Sequence, residues 1–349
     1  MGITASAPNK VHLAGEHSVV YGGLALMAPV EVNGRRNRIT LFEEGVPIGS
    51  EQLVFNGDLG TTALLADGSR TGDEKYFPMF EAALKVFEAV GFKLSHSGKR
   101  LTATLEYSGA PKGTGNSASI PAALAAALYA HFGMKPSREQ LFDAAFAVDN
   151  AYHGGKSSGG DPHAAVSNCP QLFKRVFREG KATPQYEDAQ IALPKGTALL
   201  LIDSYRSGKK ANTASLIAEF AKRRGITKTP VELSDGERAR ITAPFDAVVK
   251  KIVSECRVDG SPKRLGELFD ANHALLRDSG VSAPDMEECI TTAKQAGALG
   301  GKGIGACGNG GAVIALCPSL KLASVEKALS AKGFAAFRIN FAKRGAGAD

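Results

Sequence analysis

The chain has no tryptophan, and aromatic residues make up only 7% of its 349 positions. Single-stranded nucleic acids are held on surfaces that interleave aromatics with Lys and Arg, so the formal charge of +7 suits anionic small molecules better. Cysteine is sparse as well: the five residues, at 169, 256, 289, 307 and 317, form no CxxC pair and no metal spacing. An odd number of free thiols fits a reducing setting, and a cytoplasmic location is expected. Long apolar runs are missing too. The run Ala122–Leu128 falls far short of the ~20 residues a spanning helix needs, and the opening Met1–Ser6 carries no charged leader. Neither a membrane nor a nucleic-acid partner is expected, and no internal repeat is visible.

Glycine, by contrast, is plentiful: forty residues, clustered rather than scattered. The organising stretch runs from Glu106 to Leu128. It follows an alternating segment in which Leu101, Ala103, Leu105 and Tyr107 share one face, as in a half-buried strand. Gly109, Gly113 and Gly115 then loosen the chain, and from Ala122 it becomes almost pure Ala and Leu, the residues best suited to helix. Strand, glycine loop and helix in that order can hold an anion. Backbone N–H groups approach closely where no Cβ intervenes, and the helix N-terminus adds partial positive charge. Asn116, Ser117 and Ser119 stand at the expected helix start, with Ser119 the candidate hydroxyl for a phosphate-borne metal. The competing reading is an ordinary strand-to-helix turn.

With 44% hydrophobic residues the chain can bury a large core and is expected to form two domains. Composition shifts over 185–195, and the division is placed at 1–190 and 191–349. Near the start, Val11 and Leu13 alternate before Gly15-Glu16-His17 interrupts. Lys10, Glu16 and His17 are costly to bury without partners and are expected to face a polar cavity. A helix over 137–150, capped by Ser137, ends near Asp149 and leads to Ser158-Gly-Gly-Asp161, a tight loop that presents one carboxylate or merely caps a helix. Thr197–Asp203 reads as a buried strand, and Asn212-Thr213 as a helix start. Further helices are expected at 244–256, 265–276, 286–297 and 325–331.

Two motifs mislead. Gly155-Lys156-Ser157 resembles the end of a Walker A loop, but Asn150 stands where that loop needs Gly. Gly303-x-Gly305-x-x-Gly308 spells the dinucleotide fingerprint, yet it follows a helical segment and runs into a strand, the reverse of the required order.

Three loops of small residues, taken together, resemble the GHMP kinases, named for galactose, homoserine, mevalonate and phosphomevalonate. They are Ala7-Pro-Asn-Lys10 through Gly22, Pro111–Ser119, and Lys302–Gly311, and the likeness spans essentially the whole length. Gly15-Glu16-His17 followed by Ser18-Val-Val-Tyr-Gly22 is most similar to the mevalonate-phosphorylating branch. The resemblance implies an α+β two-domain fold, with an N-terminal ATP-binding domain of the ribosomal-protein-S5 type and a ferredoxin-like C-terminal domain. It implies ATP and Mg²⁺ as cofactors and mevalonate as the small-molecule substrate, phosphorylated on its 5-hydroxyl. By position it implies Asp161 as catalytic base with Lys10 beside it, Thr213 near the transferred group, and Glu16 and His17 at the acceptor end of the pocket. Ser108, Pro111, Lys112, Gly113, Thr114, Gly115, Asn116, Ser117, Ala118 and Ser119 would hold the nucleotide, and Ser119 with Asp149 the metal. Homodimer assembly stays open.

The chain also departs from the family pattern. Asn9 replaces a Gly, Asn116 and Ser117 replace a Leu-Gly pair, and Asp149 replaces a Glu, so its metal contact is expected to run through water. The loop from His153 to Asp161 and the third motif are each a residue longer, and Ala211 stands where some relatives carry Arg. A relative acting on phosphomevalonate or another small hydroxy acid remains an alternative, as does a catalytically silent sensor, which would have no need of Lys10, Ser119 and Asp161 together.

Overall fold

The structure, a computed structural model, describes residues 2–58, 60–155, 157–207 and 210–349. Strands β1 (Ile3–Ala7), β2 (Asn9–Ala14) and β3 (Ala25–Val32) open the chain, followed by β4 (Asn37–Gly45), β5 (Gln52–Gly57), β6 (Gly60–Leu65) and β7 (Arg70–Gly72). Helix α1 (Met79–Ala89) and strand β8 (Lys99–Glu106) lead into α2 (Asn116–His131), α3 (Arg138–Tyr152) and the short α4 (Gly160–Ala165). Strands β9 (Gln171–Arg178), β10 (Lys181–Asp188) and β11 (Thr197–Asp203) precede helices α5 (Thr213–Arg223), α6 (Asp235–Glu255), α7 (Pro262–Asp278) and α8 (Pro284–Gln295). The chain closes with β12 (Gly300–Ile304), β13 (Ala312–Pro318), α9 (Leu322–Ala331), β14 (Ala335–Phe341) and β15 (Gly347–Ala348).

One sheet has the order β15-β1-β4-β8-β5-β6-β7, antiparallel except where β5 meets β8. Helices α1, α2 and α3 cover it. Residues 121–129 of α2 are buried without a break, so this helix is apolar all round, as a fully enclosed helix must be. Its alanines let sheet and helices approach closely. The capping box of Ser137 with Gln140 starts α3 as the sequence suggests.

The second sheet runs β10-β9-β3-β14-β11-β13-β12, with β2 paired to β3. It crosses the 190/191 division: Val32 of β3 pairs with Ile339 of β14. Its central strand β11 is buried on both faces, with Leu200 and Ile202 packing toward α5, α8 and α9, and Leu199 and Leu201 toward α6 and α7. That explains a continuous apolar run where a half-buried strand would alternate. Two elements differ from the sequence reading. Helix α6 starts well before Pro244, at a Ser234–Glu237 capping box, and carries the proline inside; Gly300–Ile304, glycine-rich enough to pass for a loop, is strand β12. Among the described residues no helix is long and apolar enough to cross a membrane, and all five cysteines are free.

Candidate active site

Strand β2 brings Lys10 to the glycine loop: its backbone N–H donates to Thr114 O at 2.9 Å. The buried Lys10 ammonium lies 3.0 Å from Asp161 Oδ1, and the Asp161 side chain keeps a quarter of its surface open. Helix α4 holds Asp161 in its first turn. Gly115 packs against this pair at φ +73°, and a Cβ there would meet Lys10 Cγ at 2.9 Å and Asp161 Oδ2 at 3.4 Å. Glycine is therefore required for both conformation and space. Burial pushes the Asp161 carboxyl above its ordinary range, as does the Asp149 charge, while Lys10 pulls it down. A carboxylate raised by burial and steadied by one cation is suited to take a proton from a hydroxyl.

The loop itself has the geometry an anion cradle needs. Gly115 caps α2 in the left-handed conformation with no side-chain capping bond. Among the described residues, the N–H groups of Gly113, Gly115, Asn116 and Ser117 donate to no protein acceptor. Four donors at a helix start suit phosphate oxygens. Pro111 O anchors the loop by accepting from Thr114 Oγ1 at 2.7 Å. Beneath it lies a network of amides. Asn9 Nδ2 donates to Asn116 Oδ1 at 2.6 Å, and Asn9 Oδ1 accepts from Ser108 Oγ at 2.7 Å. Asn37 accepts from Ser108 N at 3.0 Å and donates to Asn116 Oδ1 at 3.1 Å.

The Ser119 hydroxyl, expected from the sequence to face a metal, is engaged by protein groups. Ser119 is fully buried, donates to Ala7 O at 3.1 Å and accepts from Asn37 Nδ2 at 3.1 Å. Its side chain faces strand β1. Ser117, two residues earlier and half-buried, donates to Asp149 Oδ1 at 2.6 Å. Asp149 Oδ2 accepts from Ser157 Oγ, and His153 Nε2 stands 3.6 Å from Oδ1. Burial would raise the Asp149 carboxyl, but the hydrogen bonds from His153, Ser117 and Ser157 outweigh it and hold it below the ordinary range. Asp149 stays ionised, and its ties to Ser157 brace the loop that leads to Asp161. Lys156 of that loop lies outside the described residues.

Glu16 and His17 are buried, and protein groups already engage them. Glu16 forms an ion pair with Lys302 and accepts from Asn272 Nδ2 at 3.2 Å. His17 Nε2 bonds to Ala306 O at 3.1 Å, and the ring stacks on Phe220 at 5.3 Å between centroids. Burial pulls its pKa down to about 4, against the Ala306 hydrogen bond. In this structure both therefore join the first motif to the third instead of lining open space. The sequence left Lys302 without a role, since nothing around Gly300–Ile304 announces a buried cation. The third motif spans the end of β12 and the turn that leads into β13. Gly305, at φ +64°, comes so close to the second loop that a Cβ would sit 3.2 Å from Gly113 O. Across the cleft, Lys112 Nζ donates to Ala211 O at 3.1 Å. Thr213 follows two residues later as the first residue of α5, half-buried and capped by Asn212. Lys10, Asp161, Gly113–Ser117 and Asp149 thus converge, with the α5 start opposite Lys112.

The family models "GHMP kinases N terminal domain" and "GHMP kinases C terminal" match residues 79–168 and 249–335. The mevalonate kinase of Pyrococcus horikoshii is 30% identical over 324 residues, 90% of this chain and 89% of that protein. That of Thermococcus sibiricus is 29% identical over 337 residues, 95% and 94% of the two chains. Among solved structures, the Methanococcus jannaschii mevalonate kinase superposes with a TM-score of 0.77 at 19% identity, covering 98% of both chains. A mevalonate kinase from L. major in complex with R-mevalonate gives 0.73 at 24% identity, covering 96% of this chain and 95% of the other. With its two-sheet α+β fold and its glycine cradle, the chain belongs to the GHMP kinases, ATP-dependent kinases of small molecules.

Proposed function

We propose that the chain transfers the γ-phosphoryl group of ATP to the 5-hydroxyl of mevalonate. The observation that carries this reading is the Lys10–Asp161 pair, 3.0 Å apart and packed on Gly115 of the anion cradle. The curated relatives named mevalonate kinase, aligned over most of the chain, support mevalonate as acceptor. Phosphoryl transfer asks for positioning and charge neutralisation more than covalent chemistry. In this reading the N–H groups of Gly113, Gly115, Asn116 and Ser117 hold the phosphates, and Ser108, Pro111, Lys112, Thr114 and Ala118 shape the loop. Asp161 accepts the proton of the 5-hydroxyl. Lys10 offsets the charge that gathers between carboxylate and phosphate, and Thr213 approaches the transferred group from α5.

The residues near the cradle fit Mg²⁺. It takes one or two carboxylates along with phosphate and water oxygens, and Asp149 with the Ser117 hydroxyl are hard oxygen donors side by side. When bound, the ion neutralises phosphate charge; Ser117 and Asp149 would hold it, and Ser119 would brace the helix. The division of labour between residues 1–190 and 191–349 and a cytoplasmic location belong to the same proposal.

An ATP-consumption assay across mevalonate, phosphomevalonate, galactose, homoserine and shikimate tests it. The expected result is turnover with mevalonate far above the others. Turnover with none would favour a silent sensor, and preference for another acceptor would replace the substrate.

A further inference from the structure

Strand β2 carries a histidine that the roles above leave unused. His12 lies two residues after Lys10, on the same face of the strand, and its Nδ1 is 2.9 Å from Lys10 Nζ. An ammonium only donates, so Nδ1 accepts and the ring proton resides on Nε2. Nε2 has no protein partner among the described residues, and His12 keeps 9% of its surface open. The strand becomes irregular directly after this side chain: pairing with β3 shifts register between His12 and Ala14, a bulge that leaves Leu13 unmatched. Bulges of this kind recur beside active sites. Lys302, from β12, clamps the bulge by donating to His12 O at 3.2 Å.

We propose that His12 is a substrate-binding residue, donating its Nε2–H into the cleft to an oxygen of the hydroxy-acid acceptor beside the hydroxyl facing Asp161. This rests on the reading of the site as a mevalonate kinase. Lys10 fixes the tautomer, and His12 in turn holds Lys10 toward Asp161. Burial, followed by the charges of Lys10, Lys302 and His17, holds the imidazole well below its ordinary pKa. The ring is thus a neutral donor, and its affinity for the acceptor does not depend on titrating it.

His12→Asn and His12→Gln separate the two contacts. Asn places its amide oxygen near Nδ1 and keeps the Lys10 contact but cannot reach the cleft; Gln places its amide near Nε2. Steady-state kinetics on both variants should show KM for mevalonate raised about five- to twentyfold in His12→Asn, the effect of one lost hydrogen bond. KM for ATP should stay within about twofold, and His12→Gln should keep the acceptor KM within about threefold of wild type while losing mainly kcat. Equal effects in the two variants, or a His12→Asn loss shared between both substrates, would overturn the proposal. A wild-type enzyme that does not turn over mevalonate would instead overturn the functional reading. Should His12→Asn fail to fold, ¹⁵N spectra of the wild-type imidazoles decide. An Nε2–H tautomer whose Nε2 resonance moves on adding mevalonate, and not on adding an ATP analogue, supports the proposal. A resonance indifferent to mevalonate overturns it.

Discussion

Asn9 Nδ2 donates to Asn116 Oδ1 at 2.6 Å, joining the two positions where this chain puts an amide in place of the family's Gly and Leu. The departures compensate one another. Asn9 is fully buried, so its amide needs a partner, and the residue brought against it by the glycine loop supplies one. Asn9→Ala and Asn116→Ala should therefore couple in a double-mutant cycle by about 0.5–3 kcal/mol. Urea unfolding of the four proteins measures it, and additive effects would show that the contact does not couple the two positions.

Ser117 and Ser119 should fail in different ways. Ser117→Ala is expected to raise the Mg²⁺ concentration needed for half-maximal activity. Ser119→Ala should leave that requirement nearly unchanged while lowering stability by about 1–3 kcal/mol, because Ala7 O loses a donor and Asn37 an acceptor. Mg²⁺ titrations and melting curves on both variants distinguish them, and a larger Mg²⁺ effect at Ser119 would return the metal role to that residue.

The Lys302–Glu16 pair is fully buried. Removing one partner strands a charge, so Lys302→Met is expected to cost about 3–5 kcal/mol. Adding Glu16→Leu should recover a substantial part, since a well-packed apolar pair avoids the desolvation cost. A double variant no more stable than Lys302→Met would show that the hydrogen bonds to His12 O and Gly303 O, not the charge pairing, carry the effect.

Legibility followed locality. The anion cradle was readable because strand, glycines and helix occupy one short stretch, and the Ser137 cap because its partner Gln140 is three residues away. Lys10 and Asp161 were found through family likeness, and their contact through Gly115 needed the fold. What escaped depends on side-chain direction and distant pairing. Ser117 and Ser119 differ by two residues along a helix, about 200° of rotation, so counting could not say which faces Asp149. Lys302 meets Glu16 only after β12 packs against β2. His12 alone left a usable signal, sharing a strand face with Lys10.

His17 should make stability fall in mild acid. Its folded-state pKa of about 4 lies below the ordinary histidine value of 6.5, so the unfolded chain binds the proton first. The stabilisation is fully present above 6.5 and is lost as pH falls toward 4, on the order of 3 kcal/mol in all. His17→Phe, which keeps a ring against Phe220, should flatten this part of the stability–pH curve. A curve as steep as wild type would mean that other groups govern the acid loss.

The most direct test of the proposed chemistry is kcat for mevalonate phosphorylation by Asp161→Asn. Asn is nearly isosteric but accepts no proton, so the expected loss is roughly 10²- to 10⁴-fold in kcat, with little change in KM for either substrate and a retained melting transition. A folded Asp161→Asn enzyme with near-normal kcat would contradict the assignment of Asp161 as the base, leaving it as an acidic residue in the first turn of α4, paired with Lys10.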